Sequence, residues 1–204
     1  MVKVTTLLLL VLFPTSPGQK ILLPIDSPDR KSIETISLTD IGTFGLMRKA
    51  RPSVAEHFHT GIDIKRPSRN YDNEPIFPAM QGTVISIRRD GAYAQVIIEH
   101  ALGAKKVWTV YEHIAGINVR LYQPVSPAKP IARFMNKMEL NRYGWQFDHF
   151  HFEVLKVTPI KVQYNKSHPE RLFNSYTLLC HSRSDLIKYF YEPLEFLKEG
   201  IAKK

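Results

Sequence analysis

Short apolar runs separated by turn-forming residues dominate the chain from Phe44 to Leu155, and they read as strands rather than helices. Gly82-Thr83-Val84-Ile85-Ser86-Ile87 alternates toward its end. Asp90-Gly91 is a turn dipeptide, Ala94 to Glu99 the next strand, Leu102-Gly103 a second turn, and Val107 to Tyr111 a third strand. Three strands joined by two short turns predict an antiparallel meander. The three prolines from Pro124 to Pro130 predict a loop or an edge, and Phe150 to Val157 reads as one more strand. The tail differs: residues 156–180 have no clear period. Ser184 is placed to cap a short helix with Leu186, Ile187, Phe190 and Tyr191 on one face. Pro193 either limits that helix or begins a second turn. The expected fold is mainly β and antiparallel, with a short α-helical C-terminal appendage.

The N-terminus changes the picture of where the chain works. Lys3 precedes the apolar run Leu7 to Phe13, followed by Pro14, Ser16, Pro17 and Gly18. That is the layout of a signal peptide cleaved after Gly18. The run is far short of the roughly 20 residues that span a bilayer, so no stable membrane insertion is expected. The predicted division is therefore 1–18 signal peptide, 19–43 N-terminal extension, 44–155 main domain and 156–204 covering segment. The last, without disulfides, would be marginal alone.

Composition adds two limits. The formal net charge of +9 favours anionic partners, but no dense Lys/Arg block or nucleic-acid motif appears, so nucleic acid is not expected. The single cysteine, Cys180, excludes an internal disulfide and a Cys-rich zinc cluster. Any metal site must come from His and carboxylates.

Two stretches offer those groups. In His59-Thr60-Gly61-Ile62-Asp63-Ile64, read as a strand, His59, Gly61 and Asp63 share one face. Gly61 would leave room there for a guest, while Thr60, Ile62 and Ile64 face the core. In His149-Phe150-His151-Phe152-Glu153, the two histidines and Glu153 share a face. Same-face neighbours lie about 6.6 Å apart, so one imidazole can ligate while the other stands beside the metal, with Glu153 holding a ligand's second nitrogen. Two His and one Asp leave a tetrahedral zinc an open position, the catalytic arrangement. His113, in Tyr111-Glu112-His113, can reach the same place from a neighbouring strand, and it and His149 would serve as base and transition-state stabiliser. Elsewhere, His57 is expected to be solvated or groove-lining, His100 to close a hairpin, and His168 and His181 to lie on the surface. Trp145 is the better of the two tryptophans for substrate contact.

In this order, the three motifs resemble the lysostaphin-like, LytM-type family of zinc metallopeptidases: His-x-Gly-x-Asp at 59–63, Tyr-x-His at 111–113 and His-x-His at 149–151. Phe44-Gly45 with Arg48, Pro78-Ala79 before Gly82-Thr83-Val84, and Val96 to His100 with Leu102-Gly103 resemble its connecting segments. The resemblance covers residues 44–155. It implies a two-sheet β fold with a groove, zinc held by His59, Asp63 and His151, and catalysis by His149 and His113. It implies hydrolysis of peptide bonds in peptidoglycan; with the signal peptide, a monomer in the periplasm or in the extracellular space or cell wall is expected. The alternative is a non-hydrolytic LytM-like module that regulates other wall hydrolases. Asp148 and Phe150 depart from the usual text around His-x-His, residues 126–132 lack two usual glycines, and residues 158–191 look like an insertion.

Overall fold

The structure, a computed structural model, describes residues 19–89 and 91–202; the expected signal peptide and Asp90 of the first turn lie outside them. In chain order the strands and helices are β1 (Met47–Arg48), β2 (His57–Phe58), β3 (Ile62–Lys65), β4 (Pro75–Ile76), β5 (Gly82–Arg88), β6 (Gln95–Leu102), β7 (Lys105–Glu112), β8 (Pro124–Val125), β9 (Ala132–Arg133), α1 (Lys137–Tyr143), β10 (His149–Leu155), β11 (Ile160–Lys161), β12 (Phe173–Asn174), α2 (Arg183–Tyr189), β13 (Phe190–Tyr191) and α3 (Pro193–Ala202).

The fold is mainly β and antiparallel. The sheet order is β13-β10-β7-β6-β5-β8, with β3 also pairing β10; three two-stranded ribbons, β1-β2, β4-β9 and β11-β12, accompany this seven-stranded sheet. The predicted meander is β5-β6-β7. Its second turn connects Leu102 and Lys105, paired across it, with Gly103 at φ +61. A tight hairpin needs that left-handed backbone, which glycine adopts freely. β8 is the predicted proline-rich edge.

The sheet is buried on both faces. Alternate residues of its central strands enter different cores: Val96, Ile98, Tyr111, Phe150 and Phe152 one, and Ile97, Trp108, Val110 and Leu155 the other. The first core is closed by Ile21, Leu23 and Ile25 from the N-terminal segment and by Leu197 of α3. The second is closed by Cys180, Leu186 and Phe190 from the C-terminal segment. All seven residues of β10 are buried: Phe150, Phe152 and Val154 enter the first core, while His149, His151, Glu153 and Leu155 take the opposite face.

Several local expectations need correction. Ser182, not Ser184, caps α2: it is extended (φ −132, ψ 158) and its hydroxyl accepts from Asp185 N. Phe190 and Tyr191 leave the helix and form β13 beside Val154 and Leu155, and Ile187 is exposed. Of the two expectations for Pro193 the second holds: it opens α3, where its missing N–H has no helical partner to lose. His57 is buried, its Nδ1 2.9 Å from the Ala55 carbonyl.

His100 does not close a hairpin; it lies inside β6, almost fully buried, with Nδ1 2.9 Å from the Gln81 carbonyl and Nε2 2.7 Å from Thr109 Oγ1. A carbonyl can only accept, so Nδ1 carries a proton, and Nε2 faces the Thr109 hydroxyl. Burial, only partly offset by the Gln81 carbonyl and Glu99, pushes its pKa down to about 4. An unfolded chain takes up this proton below about pH 6.5. Stability from this group is therefore full above pH 6.5 and is lost as pH falls toward 4, by roughly 3 kcal/mol. Urea midpoints between pH 7 and pH 4 should fall accordingly, and His100→Gln should make the fall shallower by one proton.

Candidate metal centre

β10 organises the site. Its antiparallel register places His151 directly opposite Asp63 of β3 on one side and Glu112 of β7 on the other. Facing positions in adjacent strands bring their Cβ atoms to about 5 Å, so Asp63 and His151 meet by pairing alone. His59 arrives differently. The expected continuous strand 59–64 is broken: His59 N donates to Leu46 O and His59 O accepts from Gly45 N, whereas β3 pairs with β10. The chain changes partners between His59 and Ile62, and this bend turns the imidazole back over Asp63.

Gly61 lies in that bend, and its role differs from the expected one. A Cβ there would meet the Phe152 carbonyl oxygen at 2.3 Å, His151 Cε1 at 2.8 Å and Glu153 Cγ at 2.9 Å. The missing side chain makes room for β10 itself rather than for a guest. Gly61→Ala should destabilise the fold by about 3 kcal/mol and loosen the centre, measured by urea unfolding beside metal content.

Three donor atoms converge. His59 Nε2 is 3.0 Å from Asp63 Oδ1 and 2.9 Å from His151 Nδ1, and His151 Nδ1 is 2.9 Å from Asp63 Oδ1. Zinc bonds of 2.0–2.1 Å set tetrahedral edges of about 3.3 Å, slightly wider than this cluster. Each donor is oriented from behind. His59 Nδ1 is 2.9 Å from the Thr43 carbonyl, and His151 Nε2 is 2.9 Å from Glu153 Oε1. Arg48 Nη2 donates to Asp63 Oδ2 at 2.8 Å. With Nδ1–H of His59 and Nε2–H of His151 committed to those acceptors, a cation displacing the inward protons would meet nitrogen lone pairs, as a metal ligand requires.

The electrostatics agree. Burial opposes charge on His151, but Asp63 and Glu153 on either side outweigh it and push its pKa up to about 10. Burial raises Asp63, yet hydrogen bonds from His151 and His59 hold its carboxyl well below the usual range. Glu153 is likewise brought down to about 2, against burial, by His151, Ser175 and Thr177. The centre therefore favours positive charge between the two carboxylates, which a divalent cation at the same point would satisfy. The donor set fits zinc.

His149 and His113 stand beside this cluster. His149 Nε2 is 3.7 Å from Asp63 Oδ1, farther than the three converging donors. His113 follows β7 at φ +62, a conformation that costs a non-glycine residue about 1–3 kcal/mol. Its Nδ1–H donates to the Ala92 carbonyl at 2.6 Å, and its ring packs edge-on to His149 with centroids 5.2 Å apart. Burial, reinforced by neighbouring imidazoles, lowers both pKa values to about 4. Both rings are thus neutral at pH 7, and Nε2 of His113 is free to accept a proton.

A groove of about 610 Å³ opens from Asp63 and His149 past Thr39, Lys65, Tyr71 and Trp145. Trp145 follows α1, which starts with an Asn136–Glu139 capping box and ends at Gly144. Half exposed, it is held by Asn141 Oδ1 at 2.9 Å and by the edge of Tyr71. Asp148, one of the two residues that depart from the usual text around His-x-His, pairs with Arg66, whose side chain is buried, at 2.8 Å.

The sequence motifs single out His59, Asp63, His113, His149, His151 and Glu153, and all meet here. They give no role to Arg48, Thr43, Ser175 or Thr177. A lone arginine, a backbone carbonyl and two hydroxyls carry no periodic signal. Thr60, expected to face the core, instead donates to Glu153 Oε1 at 2.5 Å.

No curated relative matches the chain. Among solved structures, lysostaphin from Staphylococcus simulans, an antimicrobial peptidase, is similar with a TM-score of 0.51 at 15% identity; the match covers 92% of this chain and 58% of that one. This likeness shows the fold. A zinc-containing peptidase from Vibrio cholerae gives 0.45 at 23% identity over 67% of this chain and 37% of its own. A chain of the SpoIIIAH–SpoIIQ complex gives 0.46 at 19% identity, covering 67% and 92%. The family model of peptidase family M23 matches residues 57–166, a span that holds all five histidine and aspartate groups of the centre. That span is more than half of the 204 residues, and the chain belongs to peptidase family M23.

Proposed function

We propose that this protein is an exported zinc-dependent endopeptidase that hydrolyses peptide bonds in peptidoglycan, in stem peptides or cross-bridges. One observation carries the reading: His59, Asp63 and His151 converge with each outer atom already engaged, next to two neutral histidines of which His149 lines a groove. When bound, zinc lowers the pKa of a water and polarises a carbonyl. The chain's own residues do the rest. His113, its Nδ1–H held by Ala92, accepts a proton at Nε2. His149 faces the developing negative charge beside Asp63. Trp145 and Tyr71 wall the groove, and the positive net charge suits an anionic wall polymer.

The test is digestion of defined muropeptides by the zinc-loaded protein, read by mass spectrometry. New peptide termini at one bond type are expected. Sacculi bound without any peptide release would replace this reading with a non-hydrolytic binding module.

A further inference from the structure

Glu153 is fully buried and accepts four hydrogen bonds. One comes from His151 Nε2 and one from Thr60. The other two come from residues distant in sequence: Ser175 Oγ to Oε2, and Thr177 Oγ1 to Oε1 at 2.7 Å. Three of the four reach Oε1 and one reaches Oε2, so both oxygens of the carboxylate are held. Its orientation is set by hydroxyls, two of them from the C-terminal segment. The same segment reaches the other imidazole's strand, because Phe58 N, one residue before His59, donates to the Cys180 carbonyl at 2.8 Å. Residues 175–180 thus bond to Glu153 behind His151 and to the backbone just before His59.

We propose that this stretch is a clasp on the rear of the metal centre, with Ser175 and Thr177 as positioning residues that set His151 for zinc through Glu153. This rests on the zinc centre proposed above. A buried carboxylate stripped of its hydroxyl donors loses the partners that fix its rotamer. The His151 ring then loses its anchor and its aim. Such outer partners are worth about 10–100-fold in metal affinity.

The test is zinc affinity of the full chain by competition with a chromogenic chelator. The double variant Ser175→Ala/Thr177→Val should bind zinc about 10–100-fold more weakly, with each single change in between. Thr177→Ser, which restores the hydroxyl, should keep wild-type affinity. So should Tyr176→Phe, whose hydroxyl donates to the Thr158 carbonyl and not to Glu153. If the double variant does not fold, by circular dichroism, Ser175→Ala alone decides. Undiminished affinity in the folded variants overturns the clasp while leaving the zinc centre standing, as does an equal loss in Tyr176→Phe. A wild-type chain with no zinc affinity overturns both.

Discussion

Asp63→Ala is expected to leave a folded protein with zinc affinity reduced by more than about 100-fold and no measurable peptide hydrolysis. The reason is geometric. One oxygen of Asp63 touches both converging imidazoles, at 3.0 and 2.9 Å, and the other takes the Arg48 guanidinium at 2.8 Å. The alanine removes the only carboxylate among the three inward donors and leaves Arg48 facing two imidazoles. A dication would then meet positive charge where it had met negative. The backbone role survives, since Asp63 N and O bond to Gly42 and Thr39 whatever the side chain. Elemental analysis after dialysis and muropeptide digestion check the prediction. Retention of one zinc per chain would count against the assigned ligands.

His149→Ala should behave oppositely on metal: zinc retained, hydrolysis down by about 10²–10⁴-fold. His149 Nε2 lies outside the converging triad, so its loss costs no ligand. The lost group is a neutral imidazole at the groove, beside His113 and Asp63. The pH dependence follows from the same burial. Both rings have pKa values near 4, well below the ordinary value. They stay neutral through pH 7, and their protonation would cut the rate only as pH approaches 4. A nearby dication moves that limb lower, because it opposes a second positive charge. Rate profiles from pH 4 to 8 should show it. If His149→Ala loses zinc instead, His149 is a ligand and the division of roles fails.

Much of this site is legible in the amino-acid order, and the reasons are local. His149, His151 and Glu153 share a face because strand parity permits nothing else, and β10 keeps parity through all seven residues. The Glu153 contact with His151 follows from the same alternation. The meander is legible because Leu102-Gly103 marks its turn and the strands around it are short and apolar. Parity fails at residues 59–64, where the chain changes strand partners. There His59 and Asp63 still meet, but through a bend that Gly61 allows.

What sequence alone determined was thus the candidate donor cluster, its order, the meander and the mainly β character, since each depends on residues close together in the chain. Tertiary structure alone decided the rest. Cross-strand register set Asp63 against His151. Burial from several elements made His113 and His149 neutral. A tail without periodicity became the cover of the sheet's second face and the source of two hydroxyls on Glu153. Those contacts join residues more than 20 positions apart, and no local pattern in the chain encodes them.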